Sequence, residues 1–206
     1  MQTRPYDGRD SRKLWLSRED QPLVLGAVAD DQPRRRIAMQ LGLHGLRTDE
    51  VVDVEPQHFE TLSGSESDRL VIPDGKTGRR EVPVSDDLAR RVQMLKGARG
   101  MRKDEPVINR SKRSIREWIT GVRETIAEET GDERWLDLGM HDLRRTWATD
   151  GYYSLAFQGI PIAEQLIMSW GGWAHTSTGR QTFRSDYLGP VPDRITVQAM
   201  GELGLP

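Results

Sequence analysis

The sequence predicts a mainly helical α+β domain with one small antiparallel sheet inserted early. Two observations carry this expectation. Most of the 206 residues fall into apolar segments opened by Ser, Thr or Pro and closed by Gly. One stretch, HFETLSGSESDRLVIPDGKTGRREVPV, has a different texture: short β-rich pieces separated by Gly/Ser/Asp turns.

Residues 1–13 are polar and are expected to be loose. Ser17 reads as an N-cap with Asp20 at the capping-box position, opening a helix to about Ala29. Pro33 suits the first turn of the next helix, PRRRIAMQLGLHG, which stops at Gly45. Thr48 is expected to cap a short helical turn, TDEVVDV. The β-rich pieces HFETL, RLVIP and REVPV follow, with Asp-Gly in DGKTG marking a hairpin turn. Ser85 then caps SDDLARRVQMLKG, and residues 111–129 form a helix with a basic start. A helical pattern runs from His141 to about Phe157, Pro161 starts PIAEQLIMSW, and PDRITVQAMGELG makes a last short helix. No repeat or low-complexity tract interrupts this order.

Hydrophobic residues at 35% and charged residues at 30% suit a soluble globule with a core. No apolar run approaches the roughly 20 residues of a membrane span. The start MQTRPYDGRDSRK lacks the apolar region of a signal peptide. With no cysteine, disulfides and thiolate metal sites are excluded, and a cytoplasmic location is the default expectation. The net charge is −2, unlike the strongly basic balance of many DNA-binding proteins. Only five of the 30 basic residues are lysines (13, 76, 96, 103 and 112), which leaves 25 arginines. Arginine suits forked phosphate contacts, but a GC-rich genome or a salt-adapted proteome gives the same bias.

Four stretches hold residues able to do chemistry. In GLHGLRTDEVVDV, Arg47 and Glu50 are neighbours on a helical turn, so Glu50 can orient the guanidinium; a solvated i,i+3 pair looks the same. In DGKTGRREVPV, Lys76 stands at a hairpin tip, either reaching into a groove of DNA or simply solvated. In MHDLRRTWATDG, His141 and Arg144 share a face at a helix start, with Asp142 suited to the first turn. A histidine with two arginines can bind phosphate, whereas a metal there lacks a second histidine at i+4. A structural cap is the plain alternative. The fourth stretch, GGWAHTSTGRQTFRSDYLG, gathers Trp173, His175, Arg180 and Tyr187 among turn-forming residues; alone, Tyr187 reads as helix-end packing.

The order Arg, hairpin Lys, His-x-x-Arg, Gly-Trp, Tyr resembles the tyrosine recombinase (phage integrase) family. The matching stretches are LGLHGLRTDEVVDV, GKTGRREVPV, HDLRRTWAT and GGWAHTSTGRQTFRSDYLG; LWLSREDQPLVLGAV also looks like the opening helix of that catalytic domain. The resemblance covers residues 14 to about 190, and the arginine-rich texture with WGGW is most similar to archaeal, particularly haloarchaeal, members. It implies site-specific DNA recombination or integration through a 3′-phosphotyrosine, without metal, ATP or other cofactor; no P-loop or evident metal site stands in the chain.

The resemblance further implies Tyr187 as nucleophile and Arg47 and Arg144 as the grip on the phosphate. It makes Lys76 the proton donor to the departing 5′-oxygen and His141 an acid/base partner of the tyrosine. Glu50 matches the acidic position that orients arginine and histidine. Trp173 matches the position after the last glycine. The 14 residues from Trp173 to Tyr187 exceed the family's usual interval, which keeps His175 as a second candidate. Tyr152 and Tyr153 lie mid-helix, too near Arg144 to serve as nucleophiles. Double-stranded DNA is the implied partner, with tetramer assembly on DNA through LGPVPDRITVQAMGELG. Residues 14–206 would form the catalytic domain. Residues 1–13 cannot supply the family's N-terminal core-binding domain, which implies an excised catalytic domain or a naturally short recombinase of the kind that inverts promoters. A type IB topoisomerase-like activity and an inactive DNA-binding regulator are the alternative readings.

Overall fold

The computed structural model describes residues 1–8 and 10–204. Against expectation, the polar N-terminus holds paired strands: β1 (Gln2–Pro5) pairs antiparallel with β2 (Arg12–Trp15), Gln2 facing Trp15. The apolar end of β2 anchors this hairpin, with Leu14, Trp15 and Leu16 all buried. Ser17 and Asp20 exchange hydrogen bonds as a capping pair would, at 2.7 and 3.2 Å. The helix α1 nevertheless covers only Gln21–Gly26. Asp20 is also held by the amino group of Met1, and the chain reaches the helix through a turn.

Helix α2 (Pro33–Leu43) starts on its proline and stops before Gly45, whose φ of +83° turns the chain sharply. A Cβ there would meet the Trp147 ring at 2.4 Å, so only glycine fits the turn. In α3 (Thr48–Val51) the cap is Arg47 rather than Thr48. The Glu50 carboxylate accepts the Arg47 N–H at 2.7 Å and takes over the capping work.

A three-stranded antiparallel sheet follows: β3 (Phe59–Thr61), β4 (Asp68–Gly75) and β5 (Gly78–Val84), with Lys76 and Thr77 forming the β4–β5 turn. Ser85 caps α4 (Asp86–Arg99) and Ser111 caps α5 (Lys112–Thr130), each hydroxyl accepting an N–H three residues on. Helix α5 buries Ile115, Ile119, Val122 and Ile126, one stripe at i+3/i+4 spacing. Each such side chain contributes about 1.5–3 kcal/mol when removed from water.

The long central helix α6 (Met140–Phe157) packs against α2, β2 and α7 (Ala163–Gly171). Helix α7 starts two residues after Pro161, because residues 161–162 form a turn. Helix α8 (Ser177–Thr182), capped by Thr176, runs into a π-turn at Phe183–Tyr187, and α9 (Asp193–Glu202) follows. Two apolar cores result. The larger one joins β2, α2, the sheet, α4 and α5; the smaller one comprises Ala148, Ile167, Met168, Trp173, Phe183 and Tyr187. Among the described residues no helix is long and apolar enough to cross a membrane.

Candidate active site

The C-terminal end of α7 organises the site. Its last carbonyls point into the protein, and three arginines from distant segments converge on them. Arg80 of β5 donates to Trp170 O. Arg144 of α6 donates to Gly171 O at 2.6 Å, and Arg47 donates to Gly172 O at 2.9 Å. A helix C-terminus carries partial negative charge and unsatisfied carbonyls, so it is a natural seat for cations. Gly172, at φ +68°, ends the helix and turns the chain into Trp173. The Thr77 hydroxyl also donates to Gly172 O, at 3.1 Å, tying the β4–β5 turn to the same point.

Glu50 sits between two of these arginines and is 7% exposed. It accepts from Arg47 Nη1 at 2.9 Å and from Arg80 Nη2 at 2.6 Å. Burial raises the carboxyl pKa, but the charges and hydrogen bonds of Arg80 and Arg47 outweigh it and hold Glu50 below the usual carboxylate range.

Arg144 is fully buried. Its Nη1 donates to Gly45 O, its Nη2 to Gly171 O, and its Nε has no partner among the described residues. The guanidinium lies 4.1 Å from the Trp173 ring centre and 5.4 Å from that of Tyr187. Burial, with the nearby charge of Arg47, pushes its pKa down to about 9. It remains a cation at neutral pH, aimed by backbone carbonyls and covered by aromatic faces.

Tyr187 packs edge-on against Trp173 at 4.5 Å and tilts against His141 at 4.9 Å. Its carbonyl accepts from Trp15 Nε1 and from Thr149 Oγ1, both at 2.9 Å, which pins the end of the π-turn. His141 is exposed and lines a cavity with Arg145, Asp186 and Tyr187. Withdrawal from bulk water and the charges of Arg145, Arg144 and Arg47 push its pKa down to about 4. A neutral imidazole therefore faces the tyrosine ring at neutral pH.

Lys76 is exposed at its turn and lines a cavity of about 600 Å³ together with Arg47, Glu50 and His58. His175 lies elsewhere: it is exposed and its Nε2 pairs with Ser169 Oγ at 3.0 Å. Of the two candidates, Trp173 is the one brought against Arg144 and Tyr187. Tyr152 packs on Tyr153 and Phe183, and Tyr153 reaches Gly189 O.

Asp142, beside His141 in the first turn of α6, is engaged structurally. Its oxygens accept the N–H groups of Gly139 and Leu14 and the Arg145 guanidinium. Burial raises its carboxyl pKa, with Arg145 opposing. Sequence reasoning did not single out Arg80, Trp15 or Thr149. Arg80 carried a signal: it alternates with Val82 and Val84 on the buried face of β5, and a buried cation needs a partner.

No protein-family profile matches the chain, and no curated protein matches its sequence. Solved structures do. A crystal structure of XerA recombinase superposes with a TM-score of 0.64 at 16% identity, over 92% of this chain and 65% of that one. XerH site-specific recombinase bound to palindromic difH substrate, a post-cleavage complex, gives 0.60 at 18% identity over 90% and 52%. The Tn1549 transposon integrase in complex with transposon right end DNA gives 0.57 at 14% identity over 97% and 69%. The architecture, mainly helical with a small antiparallel sheet, is therefore that of the tyrosine recombinase catalytic domain. The chain spans about two thirds and one half of the first two proteins.

Proposed function

We propose that this protein is a DNA strand transferase that cleaves and rejoins double-stranded DNA at specific sites through a 3′-phosphotyrosine. The observation that supports this best is convergence. Arg47, His141, Arg144, Trp173 and Tyr187 come from three separate regions of the chain and meet around the end of α7.

In the proposed reaction the Tyr187 hydroxyl oxygen attacks the scissile phosphorus, the bond from phosphorus to the 5′-oxygen breaks, and that oxygen leaves as a hydroxyl. The phenol proton passes to neutral His141, and Lys76 supplies the proton to the leaving oxygen. Rejoining reverses these steps with a 5′-hydroxyl from a second strand. The phosphoester is exchanged rather than hydrolysed, so the cycle needs no nucleotide energy source. A free phenol is about 1 in 1,000 ionised at pH 7, a deficit of about 4 kcal/mol. The guanidinium groups of Arg47 and Arg144 offset it by binding the charge that develops on phosphate; losing one such donor costs about 10²–10³ in rate.

Assembly on DNA through the C-terminal segment belongs to the same proposal. Val197 and Leu203 of this segment are 66% and 72% exposed, apolar side chains left without cover. A truncation after residue 190 should lose the joining of two sites while keeping single-strand cleavage.

A second reading, a DNA-binding regulator that does not cleave, draws on the complete burial of Arg144 beneath Trp173. One assay decides. A nicked suicide duplex traps a covalent protein–DNA adduct with the wild type and none with Tyr187→Phe if the strand transferase is correct. Equal adduct from both, or none from either, overturns it. Relaxation of one plasmid without joining of two sites would indicate a topoisomerase-like activity instead.

A further inference from the structure

A second cluster of arginines lies at the opposite end of α2 from the candidate active site. Arg34 and Arg35 of the first turn of α2, Arg99 at the end of α4, and Arg110 line one pocket of about 350 Å³ with Trp118 of α5. Among the described residues none of the four holds a carboxylate within 4.0 Å. Most of the other arginines do, Arg36, Arg69, Arg91 and Arg194 among them. Arg34 Nε donates to Val107 O at 3.1 Å, Arg110 Nη1 donates to Asn109 O at 3.0 Å, and Arg35 lies 5.7 Å over the Trp118 ring. These neutral contacts aim the guanidinium groups and leave their charge uncompensated.

The placement runs against local stability. The positive end of a helix favours carboxylates, yet α2 has no acidic residue in its first turn and places Arg34 and Arg35 there. Its N-cap Gln32 makes no capping bond, and Gln32 Oε1 is buried with no partner. Arg110 follows Asn109, the one non-glycine residue with positive φ among the described residues, an unusual conformation that presents its neighbour. Two chain segments thus break local rules to bring like charges together with Arg99, the pattern expected where a ligand completes the site. Among the described residues Asp31 is the only carboxylate residue on the pocket wall.

The pocket connects to the candidate active site. Two residues after Arg110, Lys112 bonds Asp49 of α3 at 2.9 Å, and Asp49 lines the same cavity as Arg47 and Lys76. Along α2, 11 residues at 1.5 Å each separate Arg34 from the Arg144-bound turn by about 16 Å. We propose that this arginine pocket binds backbone phosphates of the DNA outside the cleaved segment, extending the footprint along the α3–α5 side. Forked guanidinium groups match phosphate oxygens, and a duplex presents one charge per about 1.7 Å of axis, so a cluster of arginines meets a regular row of partners.

This inference rests on the strand-transferase reading, and the test separates the two. Affinity is measured against salt for wild type and the double variant Arg99→Gln/Arg110→Gln, on a duplex ending within about 5 base pairs of the cleavage point and on one about 15 base pairs longer at each end. On the long duplex the variant should lose about 2 from the slope of log Kd against log salt, since each phosphate contact carries about 0.9. On the short duplex the two proteins should agree, and adduct formation on a short suicide substrate should be unchanged. Arg99→Lys/Arg110→Lys, which keeps the charge, should restore the slope. Equal slopes on the long duplex overturn the arginine pocket while leaving the strand transferase standing. A wild type that binds neither duplex overturns both.

Discussion

The indole Nε1 of Trp15 donates a 2.9 Å hydrogen bond to the backbone carbonyl of Tyr187, joining residues 172 positions apart. The same ring lies under Gly189, where a Cβ would meet it at 2.7 Å. Lys13 adds an ion pair to Asp186 at 3.2 Å, and Gln2 bonds Asp193 at 3.1 Å. The N-terminal hairpin therefore straps the turn that carries the proposed nucleophile. Trp15→Phe removes the donor and trims the buried bicyclic ring to a smaller one. It should cost about 1 kcal/mol for the hydrogen bond plus about 1–3 kcal/mol for the lost packing, and slow adduct formation about 10-fold through misplacement of the phenol. DNA affinity should not change. Single-turnover cleavage at saturating DNA checks this; an unaltered rate would show that the strap does not position Tyr187.

Glu50 holds two guanidinium groups that have few other anionic partners. Glu50→Gln leaves Arg47 and Arg80 in place with their charges uncompensated, and breaking a buried pair in this way costs about 3–5 kcal/mol. The melting temperature should fall well below that of wild type. The pH dependence carries the same signature. The folded pKa of Glu50 lies below its unfolded value near 4.5, so its contribution is full above that value and is lost as pH falls through the folded pKa. Wild type should lose stability faster than Glu50→Gln on acidification below about pH 4.5. Parallel acid-denaturation curves would contradict the assignment.

Arg47, Glu50, His141, Arg144, Trp173 and Tyr187 stand out in the sequence only together, through the family resemblance that their order carries, whereas the helix starts at Pro33, Ser85 and Ser111 follow from local capping chemistry that a sequence carries openly. What was not legible depends on contacts between distant segments. Residues 1–13 read as loose because the pairing of β1 with β2 is anchored by Leu14 and Trp15, which lie beyond that polar stretch and meet the large core and the π-turn. The role of WGGW as a carbonyl seat for Arg80, Arg144 and Arg47 needs the tertiary meeting of β5, α6 and α3 with α7. Trp173 and His175 are two residues apart, and only the αL turn at Gly172 sends one inward and leaves the other outside.

The depressed pKa of His141 sets a pH profile. Its folded pKa, about 4, lies below an ordinary imidazole near 6.5, so the unfolded chain binds more protons between those values. Stability from this group is full above about pH 6.5 and declines as pH falls toward 4. The proposed proton acceptor likewise stays neutral through that range. Cleavage of a pre-bound suicide substrate should be flat from about pH 8 to 5.5 and fall below it. An activity loss centred near 6.5 that disappears in His141→Asn would show that the imidazole titrates normally and that the arginines do not govern it.

Gly171 decides whether Trp173 can cover Arg144. It is the last residue of α7, and a Cβ built there would lie 1.8 Å from the Trp173 ring. The alanine methyl therefore displaces the indole, which stands between Arg144 and Phe183 and is 6% exposed. Gly171→Ala should lose about 1–3 kcal/mol through overpacking, shift tryptophan emission to the red as the ring meets water, and reduce cleavage because the Arg144 guanidinium loses its wall. Gly97 provides the contrast. It lies inside α4 with nothing within 4 Å of a Cβ. Gly97→Ala should gain up to about 1 kcal/mol from helix propensity alone. If both variants melt above wild type with unchanged emission, Trp173 is not seated on Gly171, and the covering of Arg144 has another cause.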